Sequence, residues 1–207
     1  MKIGIIGTGR MSSTLGKLWA EKGHQVFFGS RQPQKAQDLA VQVGHGAQGG
    51  SVAQAAGYGE VLLLAVPWKA AKETIQTMDN VDGKVLIEII NGVDMQKGPL
   101  IGHTTSIAEQ IASWAPRARV VNAFNSINYA NLLNPDFNGQ SATLFYCGDD
   151  PAAKSTLAQL GAEIGLDPVD CGPLWMARQL EPLAYLWIYL AFNGGQGPQT
   201  AFKWLKR

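Results

Sequence analysis

Short apolar runs alternate with amphipathic stretches along the whole chain. Lys2–Ile6 is β-branched, apolar and ends in a glycine-rich turn, the pattern of a buried strand. Leu15, Leu18 and Trp19 then recur at helical spacing, which predicts a helix over Met11–Lys22 with Gly23 as its C-cap. Gln25–Phe28 predicts a second strand, and Pro33 opens a helix running to about Val43. Gly44–Gly50 has room for a short third strand, Ser51 caps a short helix, and Glu60–Val66 is a fourth strand ended by Pro67. Beyond it the pattern predicts a helix over Trp68–Met78, strands over Lys84–Ile90, Arg119–Ala123 and Ala142–Cys147, and a helix over Thr105–Trp114. Pro151 introduces a helix over Ala152–Ile164, and a short strand lies near Val169. The chain closes with a long apolar helix over Pro173–Phe192 and a short one over Pro198–Leu205.

Strand and helix alternating in this way predict an α/β fold, a doubly wound, mostly parallel sheet covered on both faces, with a small helical C-terminal extension. The pattern turns helical near Asp149–Pro151 or Gly172–Pro173. The predicted division is therefore a nucleotide-binding domain over 1–150 and an α-rich extension over 151–207 packed on it. No internal repeat and no linker interrupts the chain.

Composition narrows the function classes. The 207 residues are 46% hydrophobic and 16% charged, an ordinary globular balance. A net charge of +1 leaves no field to attract nucleic acid or an anionic membrane, so any basic group that matters acts locally. Cys147 and Cys171 have no metal-binding spacing and fit a reducing compartment. The N-terminus does not read as a signal peptide, and the longest apolar run, near Leu183–Phe192, is about half the ~20 residues a membrane span needs. A soluble cytoplasmic protein without a metal is expected.

The strongest local signal is Gly7-Thr8-Gly9-Arg10-Met11-Ser12, placed directly after a strand and before a helix. That is the context a dinucleotide-binding turn of the Rossmann type requires, with Ser12 as the small residue at the third glycine position. Gly7 permits the tight turn, and Gly9 lets the backbone approach a pyrophosphate seated on the next helix's N-terminus. At the end of the second strand, where an NAD site carries an acidic residue for the ribose 2′-OH, stand Gly29-Ser30-Arg31, with Lys35 one turn on. A hydroxyl, a guanidinium and an ammonium suit a 2′-phosphate, which a carboxylate would repel. NADP(H) is the expected cofactor, held by Gly7, Thr8, Gly9, Arg10, Met11, Ser30, Arg31 and Lys35.

Ligands of open α/β sheets bind beyond the carboxyl ends of the strands. Ala65-Val66-Pro67-Trp68, Asn91-Gly92-Val93 and Asn122-Ala123-Phe124-Asn125 project there. Ala65, Val66, Pro67 and Asn91 are expected to border the nicotinamide ribose. Trp68 and Phe124 are candidate walls for a flat ring, with Asn125 and Asn193 beside them in an acceptor pocket. Aromatics at strand ends are also ordinary core residues, and Asn is a common turn former. His24, His45 and His103 are scattered, and His24 and His45 read as surface residues. No nucleophile–base spacing occurs. Hydride transfer between two planar rings needs positioning in a dry site, not a protein acid, whereas oxidation of an alcohol must remove a hydroxyl proton. No catalytic residue is therefore expected.

These stretches resemble the NADPH-dependent coenzyme F420 reductases, or F420H2:NADP oxidoreductases. The resemblance is carried by Gly7-Thr-Gly9, Gly29-Ser-Arg31 with Lys35, Val66-Pro-Trp68, Cys147-Gly-Asp-Asp150, Gly172-Pro-Leu174 and Phe192-Asn-Gly194, over nearly the whole chain. It implies a Rossmann domain with a small helical C-terminal part, a deazaflavin stacked near the nicotinamide, hydride exchange between them, and a homodimer. It also implies that Ser30, Arg31 and Lys35 hold the 2′-phosphate. Arg119–Asn125 is similar to the cytoplasmic domains of eukaryotic membrane metalloreductases, which pass electrons from NADPH to a flavin; their membrane half has no counterpart here. Where the archaeal F420 enzymes have a His-containing stretch, this chain has Asn122-Ala-Phe-Asn125, and after Gly194 it reads Gly-Gln-Gly-Pro. Both departures fall on the acceptor side, so FAD or FMN stands beside F420 as the second cofactor or substrate.

Leu180–Phe192 is apolar almost all round, so burial is expected, within the chain or against a second subunit. Pro182 predicts a bend, or a helix that starts one turn later. Two alternatives to the F420 or flavin oxidoreductase remain. One is an NADPH-dependent imine or carbonyl reductase of the β-hydroxyacid dehydrogenase type, which needs a Lys or Asp that Ser126–Leu133 does not offer. The other is a non-catalytic NADPH-sensing module.

Overall fold

The computed structural model describes residues 1–94, 98–101 and 103–207. In chain order the elements are β1 (Lys2–Ile6), α1 (Arg10–Glu21), β2 (Gln25–Gly29), α2 (Pro33–Val43), β3 (Gln48–Gly50), α3 (Val52–Tyr58), β4 (Val61–Leu64), α4 (Trp68–Gln76), β5 (Val85–Glu88), β6 (Val93–Asp94) and β7 (Gly98–Pro99). Then come α5 (Ile107–Trp114), β8 (Arg119–Ala123), α6 (Tyr129–Leu132), β9 (Asp136–Phe137), β10 (Gln140–Ser141), β11 (Thr143–Gly148), α7 (Pro151–Glu163), β12 (Asp167–Asp170) and α8 (Ala177–Phe192).

Eight strands form one twisted sheet in the order β12-β11-β8-β5-β4-β1-β2-β3. The six from β8 to β3 are parallel. β11 runs antiparallel to β8, with Tyr146 opposite Ala123, and β12 is parallel to β11. The reversal follows from the connection after β8: Phe124–Ala142 holds only a one-turn helix and a small hairpin, so β11 starts at the end of the sheet where β8 finishes. The mostly parallel, doubly wound fold expected from the pattern is the fold of the molecule.

Two apolar layers sandwich the sheet. Ile3, Ile5 and Leu63 point to α1, α2 and α7, while Ile6, Leu62, Leu64 and Leu86 point to α3, α4, α5 and α8. Both faces of the central strands are fully buried, which is why β1, β4 and β5 read as continuous apolar runs. Trp19 anchors the first layer, its indole Nε1 donating to Leu160 O of α7 at 3.2 Å.

Four features depart from the sequence pattern. The sheet continues past residue 150, the expected domain boundary, through β12, and no strand follows Gly172 among the described residues. Residues 198–205 form no helix: three glycines between 194 and 197, followed by Pro198, end the helical path. The tail is pinned to the sheet instead, with Phe202 O accepting from Thr143 N and Trp204 N donating to Thr143 Oγ1. The last helix starts at Ala177, ahead of Pro182, behind a single 3-10 turn over Leu174–Met176. Only one side of it is covered: Leu180, Ala184, Trp187 and Ala191 are buried, while Leu186, Tyr189 and Phe192 are about half exposed. Finally, His24 is buried rather than superficial, its Nε2 2.6 Å from Glu163 and its Nδ1 3.2 Å from the N-terminal amine.

Candidate dinucleotide site

The carboxyl ends of β1, β2 and β4 open into a cleft of about 340 Å³ lined by Gly7, Thr8, Gly9, Ser30, Arg31 and the Ala65–Pro67 segment, with Val52, Ala70 and Thr74 behind. A shallower basin of about 510 Å³ shares Thr8, Ser30 and Arg31 with it and adds Gln32 and Lys35. Residues predicted from two separate motifs and a strand end thus meet in one continuous depression. Val52, Ala70, Thr74 and Gln32 were not foreseen: the first three sit in ordinary helices and Gln32 just ahead of α2, and none carries a local signal of a ligand.

The glycine turn is built for two different reasons. Gly7 has φ +129°, and a Cβ there would collide with Ala65 O, so this glycine is needed to fold the turn. Gly9 has φ −79° and ψ 179°, extended backbone that any residue adopts, and a Cβ there meets nothing within 4 Å. The fold does not require Gly9; the space in front of it does. Gly9 also gives α1 no side-chain cap, so the helix's first N–H groups remain open toward the cleft. Beneath the turn, Ser12 Oγ is fully buried without a hydrogen-bond partner among the described residues. Uncapped N–H groups, an unfilled cradle and an unpaired hydroxyl fit an anionic diphosphate.

In the basin, Ser30 N–H is tied to Gly50 O at 3.1 Å and Gln32 N–H donates to Ser30 Oγ at 3.1 Å. The hydroxyl is thereby oriented with its own proton free to donate. Arg31 and Lys35 are exposed, and no carboxylate lines the basin. Met11 does not line the cleft; it packs on the core beneath it. Arg10 turns toward α6, its Nη1 donating to Tyr129 Oη at 3.1 Å with the guanidinium 5.2 Å from the ring centroid.

The ends of β5 and β8 are organised differently. Asn91 is exposed, and its Nδ2 donates to Asn125 O at 2.9 Å, while Asn125 Nδ2 donates back to Ile90 O at 3.2 Å. Asn125 is buried and serves this tie instead of standing open as a pocket group. Phe124 is only 2% exposed and packs edge-on against Trp19, centroids 6.2 Å apart. Its φ of +61°, rare for a bulky side chain, turns the ring into the core instead of along a pocket wall. Trp68 stacks on Trp114 of α5 at 5.3 Å, which commits one face of its indole. Asn193 is exposed at the C-terminus of α8.

Below this tie lies a buried acid that the sequence pattern passes over. Glu88 ends the apolar strand β5 at zero exposure, Oε1 accepting from Ile90 N–H and Oε2 from Asn122 Nδ2 at 2.7 Å. Burial, reinforced by the nearby Glu181 charge, pushes its carboxyl up to about 8. Glu181 accepts from Ile107 N–H and Ala108 N–H at 3.0 and 3.1 Å, and burial pushes it up to about 7. A carboxylate inside an otherwise apolar strand was the available signal. No group of residues that could hold a metal occurs among the described residues, and none of their helices is long and apolar enough to cross a membrane.

Comparison with known proteins agrees with this geometry. The family model described as NADP oxidoreductase, coenzyme F420-dependent, matches residues 2–92, which carry the glycine turn and the basin. An F420-dependent NADP reductase from Methanothermobacter marburgensis is 31% identical over 208 residues, covering 92% of each chain. Metalloreductase STEAP3 from Rattus norvegicus is 30% identical over 182 residues, covering 88% of this chain; this chain spans 36% of that relative's length. A solved structure from Arthrobacter sp. FB24, assigned to the F420-dependent NADP reductases, superposes with a TM-score of 0.89 at 28% identity over the full length of both chains. The chain belongs to the F420-dependent NADP oxidoreductase family.

Proposed function

We propose that the protein binds NADP(H) in the cleft and basin and exchanges a hydride with a deazaflavin such as F420, or with a flavin. The observation that carries the reading is the convergence of the open glycine turn with Ser30, Arg31 and Lys35 in a basin free of carboxylates. The N-terminus of α1 receives the diphosphate, with Gly9 giving it room. Arg31 grips the 2′-phosphate through its planar fork, while Ser30 donates a hydroxyl and Lys35 adds charge. When bound, NADPH supplies the hydride from its nicotinamide. The protein's part is to hold the donor ring at the ends of β4 and β5, beside Val66, Pro67 and Asn91, and to seat the second ring against it. No side chain needs to move a proton to the reacting carbon.

The half-exposed stripe of α8, with Leu186, Tyr189 and Phe192, supports pairing with a second copy. Both cysteines are free thiols, which fits a reducing cytoplasmic setting. Steady-state NADPH oxidation with F420, FMN and FAD tests the function. Turnover with F420 or a flavin is expected; NADPH binding without turnover on any of the three refutes the hydride-transfer reading.

A further inference from the structure

Glu88 is in an unusual position for an acid. The rest of β5 is Val85, Leu86 and Ile87, and the carboxyl has no exposure. The groups facing it from the packed elements are Asn122 of β8, Glu181 of α8 and Cys147 of β11. Glu181 in turn faces Glu109 of α5, and Cys147 also faces Cys171 and Asp149. No basic side chain faces Glu88 among the described residues; Arg178, the cation of α8's first turns, is spent on Glu109, with Nε–Oε2 at 2.9 Å and Nη2–Oε1 at 2.6 Å. An ionised carboxylate buried without a cation is costly, so the proton stays on. A protonated carboxyl can still accept at both oxygens, as the bonds from Ile90 N–H and Asn122 Nδ2 require.

We propose that Glu88 works as an uncharged acid and is a positioning residue for the nicotinamide end of the cleft. It ties the end of β5 to β8 through Asn122 and holds Ile90 N–H. Directly above, Ile90 O and Asn91 make the second tie, to Asn125. The brace meets the cleft through β4: Ile89 N–H donates to Leu64 O at 3.4 Å, one residue before Ala65 of the cleft lining. Ionisation of Glu88 beside Glu181 sets two like charges against each other, displaces the β5 end and misplaces the donor ring. The adenosine end, carried by β1 and β2, does not move. The positioning role rests on the hydride-transfer reading of the cleft.

The amide of Ile90 reports the charge on Glu88 directly, in the unmodified protein and without substrate. Its NMR shift is expected to titrate near pH 8; titration in the ordinary carboxylate range overturns the proposal. The second measurement is the pH profile of NADPH oxidation by F420 and by FMN. The wild-type rate is expected to fall above about pH 8. Glu88→Gln, neutral and isosteric, is expected to keep the neutral-pH rate within about two-fold and to lack that alkaline fall. An equal alkaline fall in both proteins, or a loss of about ten-fold at neutral pH in a folded Glu88→Gln, overturns the positioning role. A wild-type protein that oxidises NADPH with neither acceptor takes the positioning role down with the hydride-transfer reading; the Ile90 titration still decides whether Glu88 is uncharged.

Discussion

Over the ends of β1 and β2 the polar groups are left open: the first N–H groups of α1, the Ser30 hydroxyl proton, Arg31 and Lys35 carry no ion pair or cap among the described residues. Over the ends of β5 and β8 the comparable groups are spent on one another, Asn91 on Asn125, Asn125 on Ile90, Asn122 on Glu88. The first region is built to receive charge from outside. The second is a closed frame, and under the proposed function it receives a ring by shape and position. An anion must be met by unsatisfied donors, whereas a planar ring needs a wall that does not yield. One nucleotide with a charged end and a planar reactive end asks for both.

The contrast is tested most severely at Gly9. Its backbone is extended and a side chain there meets no protein atom. Gly9→Val is therefore expected to fold with a wild-type melting temperature and to lose NADPH affinity by at least about a hundred-fold, or ~2.7 kcal/mol. Calorimetry showing retained binding would remove the diphosphate from this turn. Gly7→Val is expected to fail differently, by misfolding, because φ +129° excludes it.

Arg31→Ala comes next. Losing a charge-assisted contact is expected to weaken NADPH by about 1.5–3 kcal/mol and to leave NADH within roughly two-fold. Equal losses for the two nucleotides would show that Arg31 meets the diphosphate, not the 2′-phosphate.

A smaller effect is expected at Asn125, and of another kind. Asn125→Ala removes the amide that satisfies Ile90 O and should lower stability by about 1–3 kcal/mol. Binding of 2′,5′-ADP, which occupies the adenosine end alone, is expected to stay within about two-fold, while NADPH oxidation slows. Loss of 2′,5′-ADP affinity in a folded variant would show that the two regions are one mechanical unit.

The two regions also differ in how far the sequence reveals them. The proposed adenosine end is legible in residues 7–12 and 29–35, with each cue beside its structural context: a glycine pair after an apolar strand, a Ser-Arg pair where a carboxylate would stand. The parallel core was equally legible, because burial on both faces leaves continuous apolar runs in β1, β4 and β5. The frame is assembled from residues 88, 91, 122, 125 and 181, and no local pattern links them. Phe124 reads as a pocket aromatic until its left-handed backbone is known, and that turn sends the ring to Trp19. Residues 198–205 carry apolar residues at helical spacing, yet the free edge at Thr143 captures their backbone. The apolar pattern of α8 says that it needs cover on many sides and not what covers it.

The smallest expected effect lies behind the frame, where α8 is fastened to α5. Arg178 holds Glu109 through two hydrogen bonds, and this pairing keeps the Glu109 carboxyl below the usual carboxylate range. A carboxyl whose folded-state pKa is depressed contributes stability above its unfolded pKa and loses it as pH falls through the folded value. Arg178 is 34% exposed and Glu109 23%, so solvent screens the pair and Arg178→Ala is expected to lower stability only slightly at neutral pH. The loss should shrink in acid as Glu109 takes up its proton, and in high salt. Denaturant melts at neutral and acid pH measure both. A pH-independent loss, or one of several kcal/mol, would mean that Arg178 acts by packing or by shielding the buried Glu181, which lies one turn further along α8 and holds the first N–H groups of α5. In that case the charge balance around Glu88 would extend to the surface of α8, and the frame would reach further from the cleft than its hydrogen bonds alone define.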